Sequence, residues 1–412
     1  VYYHHGPCQG KLGFLFPGQG SQYPHMGKAL LSMFPEAQSV LHACETEHAA
    51  LNPGADPLSG SIFPLPQHVV DKKLAQEKLR HTDVAQPAIG AVSAAMLRIL
   101  DRFKVKPDLS CGHSYGELSA LLAAGVIDDI SFYRLSALRG LYMARAGQSS
   151  GDGGSMLAVS APLARIEALI NDHDLDLILA NRNSYSQGVL SGATSEIDRA
   201  RKICKQNKLR AVKLPVAAAF HSSLVADAAA PFREEFKSIR FNVPQHPVLS
   251  NMLGSVYPGD IEKIQDILGD QLKSPVKFIE NIETMVCDGV NTFVAIGPKS
   301  VLTGLTRSIL KEMPLTAHAL AMDSGNGKST GVDDLAKVLC SLASRGFDID
   351  LTPWEDPAPK PESKKIRVSL TGANIKPAPP KDLPKPVDTT AQGNVPENER
   401  PGADTPMQEK PT

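Results

Sequence analysis

The sequence predicts an α/β fold, a large domain of alternating strands and helices interrupted by a small inserted unit, and three observations predict it. Short apolar runs ending in Pro-Gly or Gly-rich turns alternate with helix-period stretches over the first 149 residues. A G-x-S-x-G pattern, Gly112 to Gly116, falls between an apolar run and a helix-period run, the context of a nucleophile elbow. From 150 to 216 the pattern becomes strand-helix-strand-strand-helix-strand, a ferredoxin-like unit of the split type. The expected organisation is therefore residues 1–149 and 217–354 as two parts of one large subdomain. Residues 150–216 form the small insert, and residues 355–412 form a linker.

In chain order, "KLGFLFPG" reads as a buried strand closed by a turn, and "SQYPHMGKALLSMFPEAQSVLHACE" has helical spacing. "QPAIGAVSAAMLRILDRF" reads as an amphipathic helix stopped by "KVKPD". "LSCGHS" is a strand running into the turn at Ser114, and "GELSALLAAGVI" is the helix that follows. "GQSSGDGGSM" is a flexible joint. The insert then supplies "MLAVS", "LARIEALINDH", "LILANRNS", "QGVLSGA", "EIDRARKICKQN" and "RAVKLPV". The large subdomain resumes with "HPVLSNM" and "NTFVAIGP". Beyond Trp354 lie 12 of the 32 prolines, together with many lysines. Such a stretch cannot bury enough apolar surface to fold alone and is expected to be extended, with "IRVSLTGAN" as one strand docked on the body.

The 412 residues carry a net charge of −1, which argues against a nucleic-acid binder. No apolar run reads as long enough to span a bilayer, and no basic-then-apolar leader is expected at the start of the chain. The first residue is Val1, which suggests a fragment of a longer polypeptide. Six cysteines at 8, 44, 111, 204, 287 and 340 contain no C-x-x-C pair, so neither a disulfide framework nor a metal site is expected, and a cytoplasmic location is. Cys111 reads as a small buried apolar side chain.

"SGNGKST", 324 to 330, ends like a phosphate-binding loop, but Met322 stands where its first glycine belongs, so it reads as a solvent loop. A serine nucleophile needs a base, because its hydroxyl is protonated at neutral pH. His113 adjoins Ser114, but neighbours at an elbow point in different directions. His221, in "VAAAFHSSLV", follows the last strand of the insert among small residues, while His246 and His318 read as surface or packing histidines.

At "FLFPGQGSQ", "GHSYGE", "AAFHS" and "GPKSVLTGL" the sequence resembles the malonyl-CoA:acyl-carrier-protein transacylases, including acyltransferase domains of polyketide and polyunsaturated fatty acid synthases. The likeness runs in order over about residues 10 to 350, and the tail resembles the linker after such a domain. The resemblance implies an α/β-hydrolase-like core with a parallel sheet and a ferredoxin-like insert. It implies Ser114 as nucleophile, His221 as base, and the main-chain carbonyl of Gln271 as the group that orients the histidine. The amides of Gln19 and Tyr115 would form the oxyanion hole, and Arg139 would pair with the malonyl carboxylate. Phe220, Gln86, Asn181 and His113 would line the substrate site. Glu117 belongs to the motif, in either a structural or a catalytic role. Tyr115 departs from the aliphatic residue usual in discrete bacterial transacylases; either it narrows the acyl pocket or its hydroxyl faces the channel.

No bound cofactor or metal is implied. Malonyl-CoA is the substrate, and the second thiol belongs to the phosphopantetheine arm of an acyl carrier protein, with neighbouring synthase domains as further partners. Two rival readings stay open. An esterase or thioesterase would need an acid and then a histidine late in the chain; a catalytically idle module would only dock carrier proteins.

Overall fold

The computed structural model describes residues 10–64, 72–149, 152–216, 218–325 and 331–355. Contacts divide the chain into Val1–Asp356 and Pro357–Thr412. The expected linker beyond Glu355, its docked strand, residues 326–330 of the Gly-Lys motif and part of the joint near residue 150 lie outside the described residues.

Among the described residues ten strands form two sheets. Those of the first are β1 (Lys11–Phe16), β2 (Leu109–Gly112), β7 (Val248–Ser250), β8 (Ser255–Val256), β9 (Val290–Ala295) and β10 (His318–Ala321), in the order β10-β9-β1-β2-β7-β8. All pairings are parallel except β7 with β8. Helices cover both faces, so β1 and β2 are buried almost throughout, which is why neither alternates polar with apolar residues along its length. Gly13 pairs with Leu109 and Phe16 with Gly112, which sets the ends of β1 and β2 side by side. The turn after each strand therefore opens at the same edge of the sheet, the usual place for a site in a parallel α/β fold.

The second sheet holds β3 (Ser155–Ser160), β4 (Leu177–Ser184), β5 (Gln187–Gly192) and β6 (Arg210–Lys213), all antiparallel, in the order β4-β5-β3-β6. Helices Leu163–Asp172 and Thr194–Gln206 connect its strands. It is bonded to the stretch that leads into the helix Phe278–Cys287: Val276 N–H donates to Ala180 O at 2.7 Å, and Arg182 N–H to Val276 O at 2.9 Å. A buried cluster continues from Leu15 and Cys111 through Val276 and Phe278 to Leu157 and Ile197.

Three expectations need correction. The helix expected from residue 21 is instead a series of turns up to Gly27, followed by two helices, Lys28–Met33 and Pro35–Leu51. Phe34 between them is extended, at φ −110° and ψ 114°, because the ring of Pro35 disfavours helical backbone in the residue before it.

The helix Thr82–Arg102 is buried on nearly every side, with 16 of its 21 residues inaccessible, so its apolar face is not a single stripe. The helix Asp129–Ser149 crosses it closely: a Cβ on Gly140 would stand 2.7 Å from Thr82 O. Thr82–Arg102 is also the one helix, among the described residues, long and apolar enough to cross a membrane by length and composition. The expectation that no such run exists was wrong. Burial in the protein core accounts for its apolarity.

Candidate active site

The site is built on the turn after β2. That strand ends at Gly112 and the helix Gly116–Ala123 begins four residues later, so the chain reverses within His113, Ser114 and Tyr115. Ser114 occupies the turn with φ 53°, a left-handed conformation that is strained for a residue bearing a Cβ. The flanking glycines serve close approach. A Cβ on Gly112 would lie 2.0 Å from the carbonyl carbon of Gly116, and one on Gly116 would lie 1.9 Å from Phe16 O. Any side chain at either position would push the helix off the strand.

Ser114 Oγ lies 2.7 Å from His221 Nε2. The other ring nitrogen, Nδ1, faces two main-chain carbonyls, Ser274 O at 2.9 Å and Gln271 O at 3.2 Å. Carbonyls only accept, so Nδ1 carries the proton and Nε2 turns its lone pair toward the serine. Burial, then the nearby cation of Arg139 and then His113, lower the His221 pKa to about 3. The imidazole is therefore neutral and able to take a proton. No acidic third member contacts it among the described residues. The orienting role expected of Gln271 is shared, since Ser274 O is the nearer acceptor.

Arg139 reaches the same place from helix Asp129–Ser149 and is 1% exposed. Nη1 donates to Gln86 Oε1 at 2.8 Å and Nη2 to Gln271 Oε1 at 2.9 Å. Among the described residues no carboxylate forms an ion pair with it, and burial lowers its pKa to about 10, which still leaves it charged at neutral pH. A buried cation whose hydrogen-bond partners are neutral amides retains N–H groups for an incoming anion. Gln271 ties the parts together: its Nε2 donates to Ser114 O at 2.7 Å while its Oε1 accepts from Arg139.

Tyr115 does not face a channel. It is fully buried, its hydroxyl donates to Ser136 Oγ at 2.7 Å, and its ring centroid lies 5.8 Å from Arg139 Cζ. That position supports the guanidinium through a cation–π contact. Among the described residues no acceptor takes a hydrogen bond from the main-chain N–H of Tyr115 or Gln19. The Gln19 turn lies against the elbow, since a Cβ on Gly18 would meet His113 O at 2.3 Å and Tyr115 N at 3.4 Å. Two free amides beside the serine suit a developing oxyanion.

His113 points away from the serine. Its Nε2 lies 2.7 Å from Asn183 Oδ1, and its ring meets Phe278 edge-on. It lines, with Gln19, Asn181 and Asn183, a cavity of about 340 Å³ between the two sheets. Gln86, 1% exposed, serves Arg139 instead. Phe220 is buried beside the base, its carbonyl accepting from Ser191 Oγ at 2.8 Å. Cys111 is fully buried, and burial raises its thiol pKa, as its apolar reading implies.

Sequence reasoning missed a supporting layer. Asn251 Oδ1 accepts from Ser114 N–H at 2.6 Å, and its Nδ2 donates to Gly112 O at 2.6 Å. Glu117 in turn accepts from Asn251 N–H at 3.1 Å and from the Tyr257 hydroxyl. Burial raises Glu117 to about 7. It touches neither Ser114 Oγ nor His221, so its contacts brace the elbow. His246 is a packing histidine, as expected, with Nε2 2.6 Å from Ser110 Oγ.

A family model described as acyl transferase domain matches residues 13–330. The chain is 33% identical over 312 residues to the malonyl CoA-acyl carrier protein transacylase of Bacillus subtilis, covering 74% of this chain and 93% of that protein. It is 29% identical over 358 residues to a polyunsaturated fatty acid synthase polypeptide of Thraustochytrium, covering 85% of this chain but only 12% of the length of that polypeptide. Among solved structures, the malonyl CoA-acyl carrier protein transacylase of Clostridium perfringens matches with a TM-score of 0.69 and 34% identity, over 81% of this chain and 97% of that one. The acyltransferase domain from the second module of the salinomycin polyketide synthase matches with a TM-score of 0.73 and 27% identity, over 85% of this chain and 77% of that one.

Proposed function

The chain belongs to the acyl transferase domain family, and from that premise we propose that it moves a malonyl group from malonyl-CoA to the phosphopantetheine thiol of an acyl carrier protein, in fatty acid or polyketide synthesis. The observation that carries the choice of acyl group is the buried arginine beside the serine. A cation 1% exposed, held by two glutamine amides and by no acid among the described residues, is costly unless an anion joins it. The carboxylate of malonate is such an anion, and a guanidinium meets it with two parallel hydrogen bonds.

In this reading Ser114 Oγ attacks the thioester carbonyl while His221 Nε2 takes its proton. The new oxyanion rests on the amides of Gln19 and Tyr115. The histidine returns its proton to the departing CoA sulfur, leaving malonyl-Ser114. The carrier thiol then attacks that ester, giving its proton to His221, which passes it to the departing Ser114 Oγ, so the malonyl thioester leaves on the carrier and the free serine and neutral histidine are restored. Arg139, fixed by Gln86 and Gln271, keeps the ester in line for the second attack. No step draws on a cofactor.

The finer architecture belongs to the same reading. We take residues 150–216 as a ferredoxin-like insert in an α/β-hydrolase-like core, with 1–149 and 217–354 as its two parts. The order β4-β5-β3-β6 and the strand-turn-helix at Ser114 support this. Neighbouring synthase domains are proposed as further partners, on the likeness to a much longer synthase polypeptide.

Transfer to a carrier is separated from hydrolysis by following labelled malonyl-CoA in the presence of phosphopantetheinylated carrier protein. The label should end on the carrier thiol. Release as free malonate at the same rate with and without carrier would assign the chain to the hydrolases instead.

A further inference from the structure

Asn251 stands one residue past β7, and the register of the sheet says what belongs there. β2 pairs in parallel with β7 as Ser110 with Val248 and Cys111 with Leu249. Continued along both strands, that register sets Asn251 opposite His113. In a parallel ladder the main chain at such a place donates to the carbonyl before its partner and accepts from the N–H after it. Those groups are Gly112 O and Ser114 N–H. Both are bonded, but by the side chain: Asn251 Nδ2 donates to Gly112 O and Oδ1 accepts from Ser114 N–H, each at 2.6 Å.

The main chain of Asn251 has already left the ladder. Its N–H donates to Glu117 at 3.1 Å, and its carbonyl accepts from Lys277 N–H at 2.9 Å. The residue is 0% exposed, so no solvent can stand in for any of these bonds. A carboxamide carries the donor and the acceptor of a peptide group, which is why it can supply the missing rung.

That rung falls where the chain is strained. Ser114 sits at φ 53°, and such a conformation persists only where its surroundings over-determine it. His113 N–H donates to Phe16 O at 3.0 Å on the β1 side, and Gln271 Nε2 holds the Ser114 carbonyl at 2.7 Å. Asn251 holds the Ser114 amide from the β7 side, which also withdraws that N–H from any oxyanion. Through Lys277 it is tied to the stretch that carries Ser274, whose carbonyl orients His221.

We propose that Asn251 is a positioning residue for acyl transfer: its side-chain amide replaces a rung of the sheet, fixes Ser114 in the left-handed turn and so aims Oγ at His221 Nε2. The inference rests on the transfer reading above for its acyl donor, but the serine–histidine pair can also be followed without one.

Two probes are therefore used: acylation by malonyl-CoA, and labelling by phenylmethylsulfonyl fluoride, which needs the serine and the base but neither a thioester nor a carboxylate. Asn251→Ala should lower kcat for acylation and the rate of labelling alike, on the order of a hundredfold, the scale of a small misplacement of a reacting group. KM for malonyl-CoA should change little. Asn251→Asp keeps the shape and answers even where the alanine variant unfolds. Its carboxyl can accept from Ser114 N–H in either form, but only the protonated form can donate to Gly112 O. Burial raises the adjoining Glu117 to about 7, and a second buried carboxyl beside it is raised likewise. Both rates in Asn251→Asp should therefore climb as pH falls from 8 to 5, with thermal unfolding confirming the fold at each pH.

A wild-type kcat in Asn251→Ala, or a loss in Asn251→Asp that is the same at pH 5 and pH 8, would overturn the proposal. Wild-type protein that is labelled by the sulfonyl fluoride but never acylated by malonyl-CoA would overturn the transfer reading instead, and slow labelling of the variants would then still support the role of Asn251.

Discussion

Replacing Arg139 by alanine should abolish the preference for malonyl over acetyl groups while leaving the chain folded. Malonyl-CoA and acetyl-CoA differ by one carboxylate, which must leave water to enter a site where Arg139 is 1% exposed. Truncating one partner of such a desolvated pair costs roughly 2–5 kcal/mol, which converts to a loss of about 30- to 5,000-fold in kcat/KM for malonyl-CoA. The substitution also leaves Gln86 Oε1 and Gln271 Oε1 without their donor, and Gln271 holds the Ser114 carbonyl at 2.7 Å. A modest loss with acetyl-CoA is therefore expected, and the decisive quantity is the ratio of the two substrates. Arg139→Lys should restore part of the malonyl rate, since one ammonium replaces the charge but not the paired hydrogen bonds. Burst acylation by each CoA ester measures the ratio, and thermal unfolding of each variant checks the fold. Equal losses for malonyl and acetyl groups would show that Arg139 only braces Gln271, and would refute the carboxylate assignment.

Three further predictions concern the packing and titration of the site. A Cβ on Gly90 would stand 2.0 Å from the Tyr115 hydroxyl oxygen, so Gly90→Ala should destabilise the protein by about 1–3 kcal/mol, the usual range for overpacking a core. Adding Tyr115→Leu should recover part of that in a denaturation double-mutant cycle, and additive losses would contradict the contact. Because the His221 pKa is lowered to about 3, kcat/KM for acylation should stay flat from pH 8 to pH 5, whereas an inflection near 6.5 would show an ordinary exposed imidazole. The same shift bears on stability. Below about 6.5 the unfolded chain binds a proton that the folded chain refuses, so stability is present above that pH and lost as pH falls toward 3. His221→Gln removes this contribution and should move the acid-unfolding midpoint lower; Glu117, raised to about 7, acts in the opposite sense, its stabilisation being full below pH 4.5 and lost as pH rises through 7.

What the sequence revealed of the site was whatever sequence neighbours decide. Gly112 and Gly116 are spaced by the steric needs of the elbow, and those needs involve the turn and the adjoining strand, so a five-residue pattern carries them. His221 stood out because small residues surround it, and the family resemblance, not that pattern, gave it the role of base. Of the partners that hold these groups, Gln271 was named only through the family resemblance, and the others were not legible. Asn251 and Ser274 reach the elbow and the base from 137 and 53 residues away in sequence, and an asparagine in "LSNM" looks like any turn residue until the strands are assembled. Tyr115 was legible as a departure, but its direction depends on Ser136 and Gly90, which belong to two packed helices. The helix Thr82–Arg102 misled for the same reason: its periodicity shows one apolar face, while elements packed on its other sides bury most of the rest.

Intact-mass measurement after brief incubation with malonyl-CoA tests the central claim most directly. The wild-type protein should gain a single malonyl group, mapped to Ser114 by peptide fragmentation and discharged on adding carrier protein, and Ser114→Ala should gain none. An adduct that persists in Ser114→Ala, or that maps to Cys111, would contradict the account.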